Sequence, residues 1–293
     1  MSRGTFKLDP LELPQEQPAK VAKVLDHPAP RATRFIVTIY GDVVAPRGGT
    51  LWMGTLISVC AVHGISESLV RTAVSRLVGG GQLEGDRIGR KSYYRLTEAS
   101  SRDFARVGQL FYDPPSAPQG WYVAIGHRPD SAGWARLGSQ AAIAPARADI
   151  DRPEGALMRA DTYSGLQDLR AFAADSWPVS EAAKAYRAFI ERFDVLSDTV
   201  AELPGQLALA LRLQAIHQYR QAVLSDPRLP IDALPSDWPG QDAARLFARL
   251  YLQLAPQSDA QIARSFADAR GVLMAETDQT KARLKSLSKT ATA

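Results

Sequence analysis

The chain has 293 residues, 45% hydrophobic and 23% charged, with a net charge of +4. This composition excludes a disordered chain and a polycation, and the single cysteine, Cys60, excludes an intrachain disulfide or a cysteine-based zinc cluster. No run approaches the ~18 apolar residues of a membrane span, and MSRGTFKLDPLELPQEQPAK lacks the apolar stretch of a signal peptide. A cytoplasmic protein of two or three domains is expected.

Residues 1–30, rich in Pro, Glu, Gln and Lys, are expected to be a flexible N-terminal arm. The segment TRFIVTIYGDVVA (33–45) reads as a helix with Phe35, Ile36, Ile39 and Val43 inward. Pro46 to Gly49 make a turn, and Thr50 is read as the N-cap of a second helix through His63. Met53, Leu56, Ile57 and Cys60 form its inward face, and Gly64 its left-handed terminator. Ser66 then caps a third helix, with Glu67 suited to its positive end. Val70, Ala73, Val74 and Leu77 make its buried stripe, leaving Ser68, Arg71, Thr72, Ser75 and Arg76 outside. Gly79 to Gly81 stop that helix. Gln82 to Ile88 and Ser92 to Leu96 read as two strands joined at Gly89-Arg90-Lys91.

Charge singles out this region. From Arg31 to Glu98 there are nine Lys/Arg against five Asp/Glu, a balance of +4 that equals the whole chain's excess. A local anionic partner is expected. A short helix with an outward arginine face can enter a major groove, and a basic hairpin beside it can reach phosphates. This is a winged helix-turn-helix arrangement for double-stranded DNA. Candidate contacts are Ser68, Arg71, Thr72, Ser75 and Arg76 on the helix, and Arg87, Arg90, Lys91 and Ser92 on the hairpin. A solvated surface or a protein-docking module gives a similar pattern, so on residues alone DNA binding is only modestly favoured.

DPPSAP (113–118) reads as a linker. WYVAI (121–125), residues 141–144 and residues 156–163 read as strands, with a short helix from Asp130 or Ser131 to Leu137. This is an abbreviated ferredoxin-like unit. The strand WYVAIGHRPD has no carboxylate before Asp130, so a metal-dependent nuclease site is not expected there; His127 and Arg128 are read as surface groups. From Leu166 onward the pattern is helical, with stripes Tyr186/Phe189/Ile190/Phe193, Leu209/Leu213/Ile216/Arg220/Val223 and Leu246/Phe247/Leu250/Tyr251/Leu254. The proline-punctuated DPRLPIDALPSDWPG connects the last two. None of His27, His63, His127 and His217 has metal-ligand spacing, and no catalytic residue or metal site is expected. His217 and Arg220 share a helix face; a buried polar pair fits them better than contact with a nucleotide phosphate.

Particular words resemble the PaaX-like transcriptional regulators. YGDVVAPRGGTLWMGTL (40–56) is similar to that family's first helix, Gly-Gly turn and second helix; ISESLVRTAVSRL with GRKSYYRLT is similar to its recognition helix and wing. HQYRQAVLSDPRLPIDALPSDWPGQDA (217–243) resembles its C-terminal signature. The resemblance implies a mainly α fold with α+β parts. It comprises a winged helix domain (31–112), a small ferredoxin-like middle domain (118–165) and a helical C-terminal domain (166–293). It further implies a homodimeric repressor of phenylacetate-type catabolic genes. An acyl-CoA effector such as phenylacetyl-CoA would release it from its operator, with His217 and Arg220 as candidate effector contacts. The family usually has a full helix between the second and third middle strands, where this chain has ARADIDRPEG, so the middle domain is reduced. The rival expectation is an enzyme acting on an acyl-CoA or nucleic acid through the later domains.

Overall fold

The computed structural model describes residues 8–126, 131–196, 200 and 202–292. The chain is mainly helical, with two small antiparallel sheets. It divides into two units: Met1–Pro114 with Phe189–Arg220 and Asp242–Ala293, and Pro115–Ala188 with Gln221–Gln241.

Within the first unit, the flexible arm expected over residues 1–30 is corrected for its described part. Helix α1 (Ala19–Leu25) buries Val21 and Val24, and Leu11 enters the core. Asp9 N–H donates to the Arg264 carbonyl at 3.1 Å, and the Arg192 guanidinium to the Val24 carbonyl at 2.7 Å. Polar composition hid these three apolar anchors.

Helix α2 (Ala32–Ile39) buries Phe35, Ile36 and Ile39 completely and continues through a wide turn at Tyr40–Val44 and a tight one at Ala45–Arg47. Thr50 does not cap a helix. Thr50–Trp52 is a short strand, β1, and helix α3 spans Met53–Ala61. The register Thr50↔Arg95, Leu51↔Tyr94 and Trp52↔Tyr93 explains the difference: ladder bonds claim these three residues first. Helix α4 (Glu67–Gly79) follows, then β2 (Leu83–Ile88) and β3 (Lys91–Leu96) in a sheet ordered β1-β3-β2. Helix α5 (Glu98–Tyr112) is an addition to the sequence reading; Thr97 caps it by accepting the Ser100 N–H at 3.2 Å.

In the second unit, β4 (Trp121–Ile125), β5 (Ala135–Arg136), β6 (Ala141–Pro145) and β7 (Ala156–Ala160) form an antiparallel sheet ordered β5-β6-β4-β7. The helix expected up to Leu137 is absent among the described residues. Gly133, at φ 96°, turns the chain, and Ala135 and Arg136 pair with Ile143 and Ala142. Asp130, His127 and Arg128 lie outside the described residues. Trp121 and Ala135 pack with Ala173 of α6 (Leu166–Ser176), with Trp177, and with Leu229 and Leu234 of the proline connector. Tyr186 of α7 (Val179–Phe193) lies 5.8 Å edge-on from Trp238 and donates to Asp226 at 2.9 Å, which anchors that connector.

Helices α8 (Gly205–Ser225), α9 (Gly240–Ser265) and α10 (Asp278–Thr292) complete the chain. The expected domain 166–293 is not one unit. Leu209, Leu213, Ile262, Phe266 and Leu273 share the core of Phe35, Ile36, Leu56 and Val70.

A buried ionic network crosses this core. Arg212 donates to Asp42 through Nε at 2.9 Å and Nη2 at 3.1 Å, and to Asp259 through Nη1 at 2.7 Å. Tyr112 and Tyr251 each donate to Asp42 Oδ1 at 2.9 Å. Arg47 donates to Asp259 at 2.8 Å, and Arg283 caps the Gly41 and Asp42 carbonyls at 2.9 Å each. Burial pushes the Asp42 carboxyl up, but the Arg212 and Arg283 guanidinium groups beside it outweigh burial and hold it below the usual carboxylate range.

Candidate nucleic-acid interface

Helix α4 is set by its sequence period. Val70, Ala73, Val74 and Leu77 recur at i, i+3, i+4 and i+7 and are all buried, and α4 packs on α2, α3 and β2. Gly64, at φ 75°, ends the preceding turn, and Ile65 is buried, which fixes the entry of α4. Ser66 occupies the N-cap position, but its hydroxyl makes no cap bond and lies 3.1 Å from Ser68 Oγ.

The remaining face of α4 is open to solvent: Ser68, Arg71, Thr72, Ser75 and Arg76 are all exposed. Arg71 is pre-oriented by Glu67 one turn earlier, through Nε at 2.8 Å and Nη2 at 2.7 Å. Its Nη1 makes no bond among the described residues. The Thr72 hydroxyl donates to the Ser68 carbonyl at 2.9 Å, so outward it presents acceptor lone pairs. Leu69, 56% exposed, is an outward apolar side chain on the same helix that charge-based reading passed over.

In the hairpin, Arg95 bonds Glu84 at 2.7 Å and Asp86 at 2.6 Å across the strands. Its one charge is shared between the two acids of β2, leaving that cluster at −1, and Arg47 is buried elsewhere. The net charge of the tip is therefore carried by Arg87, Arg90 and Lys91, all exposed, with Ser92 half-buried beside them. Gly89, at φ 61°, allows the tight tip. The Lys91 ammonium lies 4.6 Å from the Trp52 ring centroid, a cation–π contact that places the end of a flexible chain. Neither the pairing of Glu67 with Arg71 nor the contact of Trp52 with Lys91 was read from sequence. Glu67 carried a helix-end signal, whereas Trp52 carried none.

His217 and Arg220 have different surroundings. The His217 ring is buried, with Nδ1 2.9 Å from Thr38 Oγ1 and Phe35 edge-on at 5.3 Å. Arg220 is half-buried and lines a cavity of about 160 Å³ between α2, α5 and α8. Tyr219, read as a packing residue, stacks on Phe247 at 4.2 Å.

Comparison with known proteins bears on most of the chain. Residues 31–100 match the family model described as PaaX-like protein, and residues 177–264 match that described as PaaX-like protein C-terminal domain. The transcriptional repressor PaaX of Escherichia coli (strain K12) is 30% identical over 256 residues, covering 76% of this chain and 80% of that protein. The chain belongs to the PaaX-like family. The two PaaX-like matches take in α2 to β3 and α7 to α9, and with them Asp42, Arg47, Arg212 and Asp259 of the ionic network. An uncharacterised protein, Rv0674 from Mycobacterium tuberculosis, is similar at a TM-score of 0.43 and 21% identity, over 71% of this PaaX-like chain and 90% of its own. Among the described residues no helix is long and apolar enough to cross a membrane, and no three His, Cys, Asp or Glu cluster as metal ligands do.

Proposed function

We propose that this chain is a DNA-binding transcriptional repressor acting in the cytoplasm on phenylacetate-type catabolic genes. Its reading head is a winged helix-turn-helix in which α4 enters a major groove and the β2–β3 hairpin is the wing. The observation that carries this reading is the unblocked outer face of α4 beside an acid-free basic tip. Membership of the PaaX-like family and a relative named as a repressor support it. Arg71 and Arg76 suit guanine edges or phosphates, and Thr72, as an acceptor, suits the amino groups of adenine or cytosine. Arg87, Arg90 and Lys91 suit the backbone. The sheet order β5-β6-β4-β7 supports a reduced ferredoxin-like unit, with no helix among the described residues between its strands. A homodimer would read half-sites about 34 Å apart, or a multiple of that. An acyl-CoA effector such as phenylacetyl-CoA would release the operator by binding the non-operator conformation more tightly.

The test is footprinting on the DNA upstream of the chain's own gene, with and without a panel of aromatic acyl-CoA thioesters. A protected region that clears with one thioester is the expected result; no protection at low salt would overturn the reading. Two variants sharpen it. Arg71→Ala weakens operator binding by about 1–3 kcal/mol and relaxes base preference at one position, measured by gel shift on single-base operator variants. Unchanged affinity would remove Arg71 from the interface. Lys91→Ala weakens binding to all sequences alike and lowers the slope of log affinity against log salt by about one. A slope equal to that of the parent chain would show that Trp52 holds Lys91 away from phosphate.

A further inference from the structure

The cavity between α2, α5 and α8 is walled by Val37, Phe104, Val107, Phe111 and Ile216, and Arg220 is its cation. Among the described residues no carboxylate lies within ion-pair distance of Arg220. Asp103, on the same lining, is largely exposed and pairs with Arg106 at 3.1 Å. Asp42, also on the lining, has its carboxylate taken by Arg212, Tyr112 and Tyr251. Arg220 is thus half-buried without an acid within ion-pair distance to offset its lost hydration, and burial, with the like charge of Arg34, disfavours its charged form. The volume, about 160 Å³, is close to that which admits one benzene ring. It is far too small for a coenzyme A thioester.

We propose that this cavity is a binding site for a compact apolar monocarboxylate, with its ring or branched body against Phe104, Phe111 and Ile216 and its carboxylate on Arg220. A planar guanidinium meets a carboxylate at two points, and low local polarity strengthens that bond. The site goes beyond the repressor reading, and it abuts the reading head. Gln82, on the lining, lies between α4 and β2, and its N–H donates to the Leu77 carbonyl at 2.8 Å. Only a consequence for DNA binding would rest on the repressor reading, so the test is made first without DNA.

Calorimetric titration of the full chain with benzoate, cyclohexanecarboxylate and the neutral benzamide tests the site. Both carboxylates bind, and benzamide binds at least roughly tenfold more weakly. Arg220→Gln removes that preference. Gly108→Leu fills the cavity and abolishes binding of all three. A Cβ at Gly108 meets only the Tyr112 ring, at 3.8 Å, so this variant is expected to fold, which a thermal melt checks. Benzamide binding as well as benzoate, or either variant binding benzoate like the parent chain, would overturn the proposal. Gel shifts with the same variants separate the two ideas. Absence of DNA binding by the parent chain sinks the repressor reading and leaves the titration result standing.

Discussion

Arg212→Met lowers the unfolding free energy by about 3–5 kcal/mol, measured by urea denaturation near neutral pH. Arg212 and Asp42 are both fully shielded from solvent. One guanidinium serves two carboxylates there, through three nitrogens. Removing it leaves Asp42 with the hydroxyls of Tyr112 and Tyr251 as its hydrogen-bond donors. Arg283, 3.7 Å away, then has to offset the buried charge without that two-point partner. Arg212→Lys also fails, because a single ammonium cannot span Asp42 and Asp259. The damage reaches the reading head, since Asp42 lies on the turn that continues α2. A denaturation midpoint equal to that of the parent chain would show that the network does not form.

Acidification gives the second large effect. Phe35 lies between two buried imidazoles, with His63 at 4.5 Å and His217 at 5.3 Å between ring centroids. Burial, aided by neighbouring positive charge, pushes His63 down to about 3 and His217 down to about 4. Geometry gives the reason for His63: its Nδ1 faces Gln214 at 3.0 Å, while its Nε2 is buried with no acceptor to receive a proton. Both rings are neutral in the folded chain. Their folded values lie below the ordinary imidazole value near 6.5, so the unfolded chain binds more protons between there and about 4. Stability therefore falls as pH drops through that window, at up to about 1.4 kcal/mol per ring per pH unit. By pH 5 the two rings together cost about 4 kcal/mol. Asp42 does not blur this window, because a carboxylate held low loses its contribution only at more acid pH. Urea midpoints at several pH values read the effect, and His63→Gln removes about half of the slope. A midpoint that holds level down to pH 5 would contradict the buried, neutral pair.

Helices and hairpin of the reading head were legible because their periods are local. The stripe Val70/Ala73/Val74/Leu77 and the tip Gly89-Arg90 need no distant partner to be recognised. Thr50 was misread because its hydroxyl suits a cap, whereas its actual role depends on β3, more than forty residues later. The candidate contacts were chosen as outward polar and basic residues, which hid how the rest of the charge is balanced. Arg95 lies in the same basic stretch as Arg87 and Arg90, and only the cross-strand register shows that it answers Glu84 and Asp86. The ionic network was invisible in sequence. Asp42 and Arg47 sit in a turn, Arg212 interrupts a leucine-rich helix, and Asp259 and Arg283 lie in an apparently polar tail. Nothing in their spacing announces that they meet.

The chain order of the first unit has a consequence for biogenesis. The core beneath α4 includes side chains as late as Leu273, and the turn after α2 is closed by Arg283. The first hundred residues hold every group proposed to touch DNA, together with α2 and α3, but not α8 and α9, which complete the core beneath them. The core of the first unit is therefore complete only after α9 and Arg283 have been made, and a chain cut short before α9 lacks Ile262, Phe266 and Leu273 from that core.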